Sequence, residues 1–248
     1  MFTVLVSTTF FVAGTKTARI SEAFRNPLNN DWSTYPLRRQ LPLKYGGQKA
    51  WESAIPLLRN IVGDDNVVLD EDELYRHGTS DWTSYVPGPG ARFEPHVVVY
   101  PQTTEQVSDI ARVAHKYKLP IIPFSGGTSL EGHFSGVRGG ICIDFAHMNK
   151  IITIHDDDLD AVVQPCVGWE DLNAELEKKG LWFPPDPGPG AKIAGMVGTG
   201  CSGTNAGRYG TMKDWVINLT VVLADGTIIK TRQRPRYTSP SLCGLGWG

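Results

Sequence analysis

From residue 96 onward, apolar positions alternate between short β-branched runs and stretches with helical spacing. His96–Pro101 (HVVVYP) reads as a buried strand, because three consecutive valines suit a pleated, covered surface. Thr103 followed by Gln106 has the form of a capping box, and Val107, Ile110, Ala111, Ala114 and Tyr117 recur on one face. The spacing predicts an amphipathic helix running to about Lys118. Leu119–Phe124 (LPIIPF) predicts a second strand, and the loop SGGTSLEGHFSGVRGG feeds a third, ICIDF. Trp169–Lys179 is a second amphipathic segment, with Leu172 and Leu176 on one face and Gly180 placed as its C-cap. VINLTVVLA reads as a further strand, turned at Asp225-Gly226 into TIIKT.

Before residue 96 the pattern is weaker. A helical stretch near Trp51–Ile61 gives way to an acidic patch, Asp64–Glu73, and then to the loop HGTSDWTSYVPGPGARFEP. Ser21–Tyr45 is polar and rich in Pro and Asn, like a linker. Met1–Gly14 carries no charge, and Val4, Leu5, Val6, Phe10, Phe11, Val12 and Ala13 form an apolar run. The run is shorter than the roughly 20 residues of a membrane helix and lacks the positive flank of a secretory signal. It reads as an anchor or the tail of a targeting segment or, equally, as a buried segment. The expected division is therefore an apolar leader or anchor remnant over 1–20, a linker and helical segment over 21–91, a compact domain over 92–236 and an aberrant tail over 237–248.

Composition narrows the classes. The chain has 248 residues, 41% hydrophobic and 20% charged, which suits a globular protein and excludes wholesale disorder, a collagen-like polymer and a multi-span membrane protein. A formal charge of -2 provides no field for a polyanion, so nucleic acid is not expected as a partner. The basic cluster Lys230, Arg232, Arg234 and Arg236 reads as a solvated strand end. Cys142, Cys166, Cys201 and Cys243 form no C-x-x-C pair, which argues for buried thiols in a reducing compartment and against a zinc knuckle; no metal site is expected. PGPGA occurs at Pro87–Ala91 and Pro187–Ala191 with dissimilar flanks, so it marks two similar turns and not a repeat.

Two glycine-rich segments carry the candidate chemistry. Ser125-Gly126-Gly127-Thr128-Ser129 follows an apolar strand directly; backbone N–H groups without bulky side chains converge readily on an anion, and two hydroxyls add donors. No Lys-Ser/Thr follows the glycines, so a Walker-type loop is excluded. A G-x-G-x-x-G dinucleotide fingerprint should open a helix, whereas this segment stays glycine-rich until a strand, so Asp144 is not expected to be a ribose ligand. The remaining readings are a cofactor loop and a glycine-rich turn that packs strands closely. The second segment, PPDPGPGAKIAGMVGTGCSGTNAGRYG, has eight glycines from Asp186 to Gly210 and is too long for a turn. Its central Ile193, Met196 and Val197 argue against a flexible loop.

PFSGGTSLEG, PPDPG, the tract ending NAGRYG and VVLADGTIIKT stand in the order and spacing of the FAD-binding domain of the vanillyl-alcohol oxidase/PCMH flavoprotein family, which this chain resembles over roughly 96–236. Within that family, RHGTSDWTSYVPGPGARFEPHVVVYPQ looks like the fungal mitochondrial D-lactate dehydrogenases that pass electrons to cytochrome c. The resemblance implies an α+β, PCMH-type FAD-binding domain of two small α/β subdomains. It implies that Ser125, Gly126, Gly127, Thr128 and Ser129 form the pyrophosphate loop, closed by Gly132, and that Asp186 and Pro187 lie along the cofactor. Gly195, Gly198, Gly200, Cys201, Gly203, Thr204 and Asn205 would follow the ribityl and adenine side, with Tyr209 and Gly210 closing that wall. Ile228, after the Asp-Gly turn, would pair its backbone with the flavin pyrimidine edge, where donors favour the negative charge of reduced flavin.

Some members attach flavin to a His just after the paired glycines. Thr128 stands there, so the FAD is expected to be non-covalent; His133, five residues on, reads as a solvent-facing loop residue more readily than as a flavin contact. Ala194 replaces a glycine common in the family. Relatives continue into a cap domain carrying the substrate carboxylate clamp and a histidine-rich motif. Resemblance stops at Tyr237, so the sequence is expected to be C-terminally truncated and to lack the cap.

The parent reaction implied is oxidation of a D-2-hydroxy acid, D-lactate, to the oxo acid, with cytochrome c as acceptor and a mitochondrial location. Alternatives are another 2-hydroxy acid, such as glycolate or 2-hydroxyglutarate, or a non-catalytic FAD-binding remnant. His77, His96, His115, His147 and His155 are scattered, so no catalytic base is assigned; His77, in the D-lactate-dehydrogenase-like loop, is the nearest candidate.

Overall fold

The computed structural model describes residues 45–83 and 93–231, together with the backbone of two N-terminal strands, β1 (Thr3–Val6) and β2 (Phe11–Val12). Residues 237–248, expected as an aberrant tail, residues 21–44 of the expected linker and the part of the loop at 84–92 lie outside the described residues.

The first layer is a four-stranded sheet of order β3-β4-β6-β5, from β3 (Val67–Val68), β4 (Val97–Val99), β5 (Ile121–Phe124) and β6 (Ile141–Asp144). β4, β6 and β5 run parallel and β3 antiparallel to β4. Every residue of β4 and β6 is buried, as expected for parallel strands covered on both faces. On one face helices α1 (Gln48–Val62) and α3 (Thr104–Tyr117) supply the cover: Ala54, Leu58, Val107, Ile110, Ala111 and Ala114 join Val97 and Val99 of β4 and Ile141 and Ile143 of β6 in one core. α3 starts where Thr103 accepts from the Gln106 amide at 3.2 Å. The capping box is not reciprocal: the Gln106 carboxamide accepts from the Gln102 amide and donates to the Ile61 carbonyl, tying α3 to the end of α1. The helix ends at Lys118, which takes a left-handed conformation. Between α1 and β4, the acidic stretch contains a helix that its charge concealed, α2 (Glu71–Gly78), capped by Asp70.

The second layer is a sheet of order β10-β9-β1-β8-β7, with β2 also paired to β9. Its later strands are β7 (Ile151–His155), β8 (Asp160–Val163), β9 (Val216–Leu223) and β10 (Ile228–Lys230). β7 and β8 form an antiparallel hairpin, β1 lies parallel between β8 and β9, and β9 turns at Asp225-Gly226 into antiparallel β10. Helix α4 (Trp169–Glu177) covers this sheet through Leu172 and Leu176. It ends in a Schellman pattern: Gly180, at φ 69, donates to the Glu177 carbonyl, and Leu181 donates to Leu176. Gly180 therefore has the terminating role expected of it.

α3 joins the layers. It packs on β9, Val222 of β9 belongs to the first core, and the Ser108 hydroxyl donates to the Gly226 carbonyl at 2.5 Å. Among the described residues no helix is long and apolar enough to cross a membrane.

Candidate functional site

The first glycine segment leaves β5 at Phe124 and climbs out of the sheet. Gly127 takes φ 60, a conformation that costs a side-chain-bearing residue. Among the described residues, Ser125, Gly126, Gly127 and Thr128 make no hydrogen bond of their own, while all four are only half-buried. Unpaired consecutive amides in a concave turn form an anion-binding nest. Beyond them, Ser129 bonds the imidazole of His133 at 3.0 Å, and Gly132, at φ 66, closes the turn by donating to the Ser129 carbonyl at 3.2 Å. The Thr83 hydroxyl donates to the Leu130 carbonyl, so the loop before the domain rests on this segment.

The second segment is fixed opposite. Ile193 and Ala194 donate to the carbonyls of Val167 and Pro165, which pins the tract to the end of β8. There it contains a helix that composition hid, α5 (Ile193–Thr199): Ile193, Ala194, Met196 and Val197 are buried at helical spacing, and Gly195, Gly198 and Thr199 face outward. Glycine at the outward positions leaves bare backbone for a ligand to lie against. Gly200 ends the helix at φ 60, and Cys201 follows, donating to the Met196 carbonyl.

The two segments meet. A Cβ on Gly126 would stand 2.9 Å from the Gly190 carbonyl oxygen and 3.2 Å from Cγ of Lys192, and one on Gly195 would stand 3.6 Å from Oγ of Ser125. Lys192, half-buried at the seam, forms no ion pair among the described residues. Sequence reasoning missed Lys192; its signal was a lone cation in a tract otherwise uncharged between Asp186 and Arg208.

Asp186 organises the rest of the tract. Its carboxylate accepts from the Thr204 hydroxyl at 2.5 Å and the Asn205 amide at 2.9 Å, while the Asn205 carboxamide donates to the Pro184 carbonyl. Burial works against the charge, but the bonds from Thr204 and Asn205 outweigh it and hold the carboxyl below its ordinary pKa. Gly203 lies over Asp186 so closely that a Cβ would overlap its carboxylate and backbone. Pro187 continues from Asp186 toward Gly188, whose carbonyl accepts from the Trp169 indole. The tract closes with α6 (Ala206–Tyr209) and Gly210 at φ 84; Tyr209 packs edge-on to Trp182 and its carbonyl accepts from Trp215, a residue of α7 (Met212–Trp215).

Of the expected site residues, the fold thus gathers Ser125, Gly126, Gly127 and Thr128 against Gly190–Gly195, and groups Asp186 with Gly203, Thr204 and Asn205. Ile228 lies on edge strand β10, 40% exposed and paired with Val222. His77 is no candidate base, since both ring nitrogens are engaged in the interior. His133 faces solvent beside Ser129. A shallow groove of about 460 Å³ lined by Trp169, Glu170, Asn173 and Trp182 holds none of the glycine-loop residues.

An FAD-binding domain model matches residues 95–232, more than half the chain. The chain belongs to the FAD-binding domain family. It is 46% identical over 201 residues to the mitochondrial D-lactate dehydrogenase [cytochrome] of Kluyveromyces lactis, covering 79% of this chain and 34% of that protein. It is 47% identical over 185 residues to the Arabidopsis thaliana protein of the same name, covering 75% of this chain and 32% of that one. The chain thus spans about a third of the length of these relatives. Its fold matches substrate-bound p-cresol methylhydroxylase with a TM-score of 0.68 at 26% identity, over 81% of this chain and 41% of that one.

The residues present fit an FAD. The open amides of Ser125–Thr128 suit a pyrophosphate, and the exposed Gly195 and Gly198 of α5 leave bare backbone for an extended ligand, while Gly126 packs on Gly190 and the stem of Lys192, whose ammonium lies by Gly168.

Proposed function

We propose that this chain is the FAD-binding portion of a mitochondrial flavoprotein that oxidises D-lactate to pyruvate and passes the electrons to cytochrome c. The convergence of the open Ser125–Thr128 loop with Lys192 and the glycine face of α5 carries this reading, supported by the relatives' names.

In this reading the backbone of Ser125–Thr128 and the Lys192 ammonium hold the cofactor's pyrophosphate, with Ser129 and Gly132 shaping the turn behind them. Gly195, Gly198, Gly200 and Cys201 provide the wall beside its extended chain. Asp186, through Thr204 and Asn205, keeps that wall folded and in place, and Tyr209 and Gly210 end it. Ile228 serves the flavin edge through its backbone. FAD, when bound, supplies the two-electron acceptor that no protein side chain provides. Thr128 follows the paired glycines, offering no imidazole for attachment, so the cofactor is held non-covalently. The groups that clamp substrate and remove its hydroxyl proton are expected in a cap domain that relatives carry.

The test is to purify the full chain, record its visible flavin spectrum, and add D-lactate, glycolate or D-2-hydroxyglutarate without oxygen. Flavin that enters the supernatant on acid precipitation supports non-covalent FAD, and bleaching by D-lactate in preference to the others supports the substrate. Flavin that stays with the pellet contradicts the first, bleaching by another acid in preference contradicts the second, and bound flavin that none of the acids bleaches favours the non-catalytic FAD-binding remnant.

A further inference from the structure

A buried His77–Asp144 pair, with Glu73 and the exposed Arg76 beside it, packs against the base of the first glycine loop. His77, 4% exposed on α2, places Nδ1 2.8 Å from the Glu73 carbonyl oxygen and Nε2 2.9 Å from Oδ2 of Asp144 on β6. A carbonyl oxygen and an ionised carboxylate both only accept, so against an ionised Asp144 both ring nitrogens carry hydrogen and the ring is an imidazolium. His96 is the internal contrast: its Nδ1 accepts from the Gly140 amide, which requires a bare nitrogen there, and burial lowers its pKa.

The surroundings balance the charge. Burial disfavours the imidazolium, but the bonds to Asp144 and the Glu73 carbonyl, with the charges of both carboxylates, outweigh it and raise the His77 pKa. Glu73 also accepts from the Tyr100 hydroxyl at 2.8 Å and pairs with Arg76 at 2.9 Å. Burial pushes up both the Tyr100 hydroxyl and the Cys142 thiol, which keeps them neutral, and the His147 ring packs on Tyr100, centroids 5.4 Å apart. Two cations thus face two carboxylates.

The cluster reaches the loop through one ring. His77 lies against Phe124, with centroids 4.5 Å apart, and Phe134 packs edge-on to the same ring at 5.6 Å. Gly127 sits on Phe124, where a Cβ would be 3.1 Å from the ring.

We propose that His77 is a positioning residue whose imidazolium, bound to Asp144 and the α2 backbone, holds the Phe124 ring under Gly127 and so keeps the Ser125–Thr128 loop shaped for phosphate. This rests on the FAD reading. The raised pKa sets the sign: support is complete below the ordinary histidine value of 6.5 and is lost as pH rises through the higher folded value.

Two measurements on the full chain test it. The nitrogen NMR spectrum of histidine-labelled protein without FAD should show His77 doubly protonated at neutral pH; a single neutral tautomer overturns the proposal, whatever the cofactor does. FAD fluorescence titration across pH should show affinity falling about tenfold as His77 deprotonates, with His77→Gln binding about tenfold more weakly at low pH and with no pH slope. Phe124→Leu, which leaves the ion pair intact, should weaken binding while keeping the doubly protonated signal. Unchanged affinity and slope in His77→Gln would overturn the positioning role. A folded wild type that binds no FAD at any pH would instead sink the FAD reading, and the role that rests on it, while the NMR signal still decides the charge.

Discussion

The two glycine-rich segments solve opposite problems. Ser125–Thr128 is held from outside, by β5 beneath it, the Phe124 ring under Gly127 and Gly190 against Gly126, and it keeps its own amides open. Asp186–Gly210 is held from within, by a carboxylate that gathers Thr204 and Asn205 and by a helix that buries Ile193 and Met196. Glycine serves exposure of donors in the first and close approach of backbone in the second. Substitutions in the second should therefore cost stability first, and those in the first should cost binding first.

The sharpest break is Gly203→Ala. Its Cβ would meet the Asp186 backbone as well as its carboxylate, so no rotamer change relieves it, and a loss of about 3 kcal/mol is expected by chemical denaturation. Asp186→Ala leaves the Asn205 amide without its acceptor and should cost about 2 kcal/mol. The pH dependence has a fixed sign: because the folded pKa is depressed, the Asp186 contribution is complete above the ordinary carboxylate value of 3.8 and disappears as pH falls through the lower folded value. Thermal melts of wild type and Asp186→Asn should thus converge in acid; melts that stay apart would remove Asp186 from its organising role.

In the first segment the order reverses. Gly126→Ala should raise the FAD dissociation constant about tenfold while costing about 1 kcal/mol of stability, because Lys192 can yield but the Gly190 carbonyl cannot. Lys192→Met is the mildest change: about fivefold weaker FAD binding, a flatter salt dependence and stability within about 0.5 kcal/mol of wild type. A Lys192 variant with unchanged salt dependence would place the ammonium outside the phosphate site.

The first layer was largely legible in the sequence. Fully buried β4 announced itself as an unbroken β-branched run, β6 as the short stretch ICIDF after the glycine loop, and α3 by five apolar positions at helical spacing. The second layer was not. β7 and β8 are short, half-buried strands around the acidic turn at Asp156–Leu159, where three aspartates conceal the alternation. α5 disappeared behind its glycines, although Ile193, Met196 and Val197 already marked a buried face. Of the candidate site, the open Ser125–Thr128 turn was readable because its glycines and hydroxyls are adjacent in sequence. The grip of Asp186 on Thr204 and Asn205 spans 18 and 19 positions, and the function of His77 depends on Asp144, 67 residues away, so neither could be seen in one dimension.

The most direct test is FAD titration of the purified full chain, wild type beside Gly126→Val, each first shown to be folded by its unfolding transition. The predicted result is saturable binding of one FAD per wild-type chain and none by the variant. A folded wild type that leaves FAD free, or a variant that binds as tightly, would contradict it.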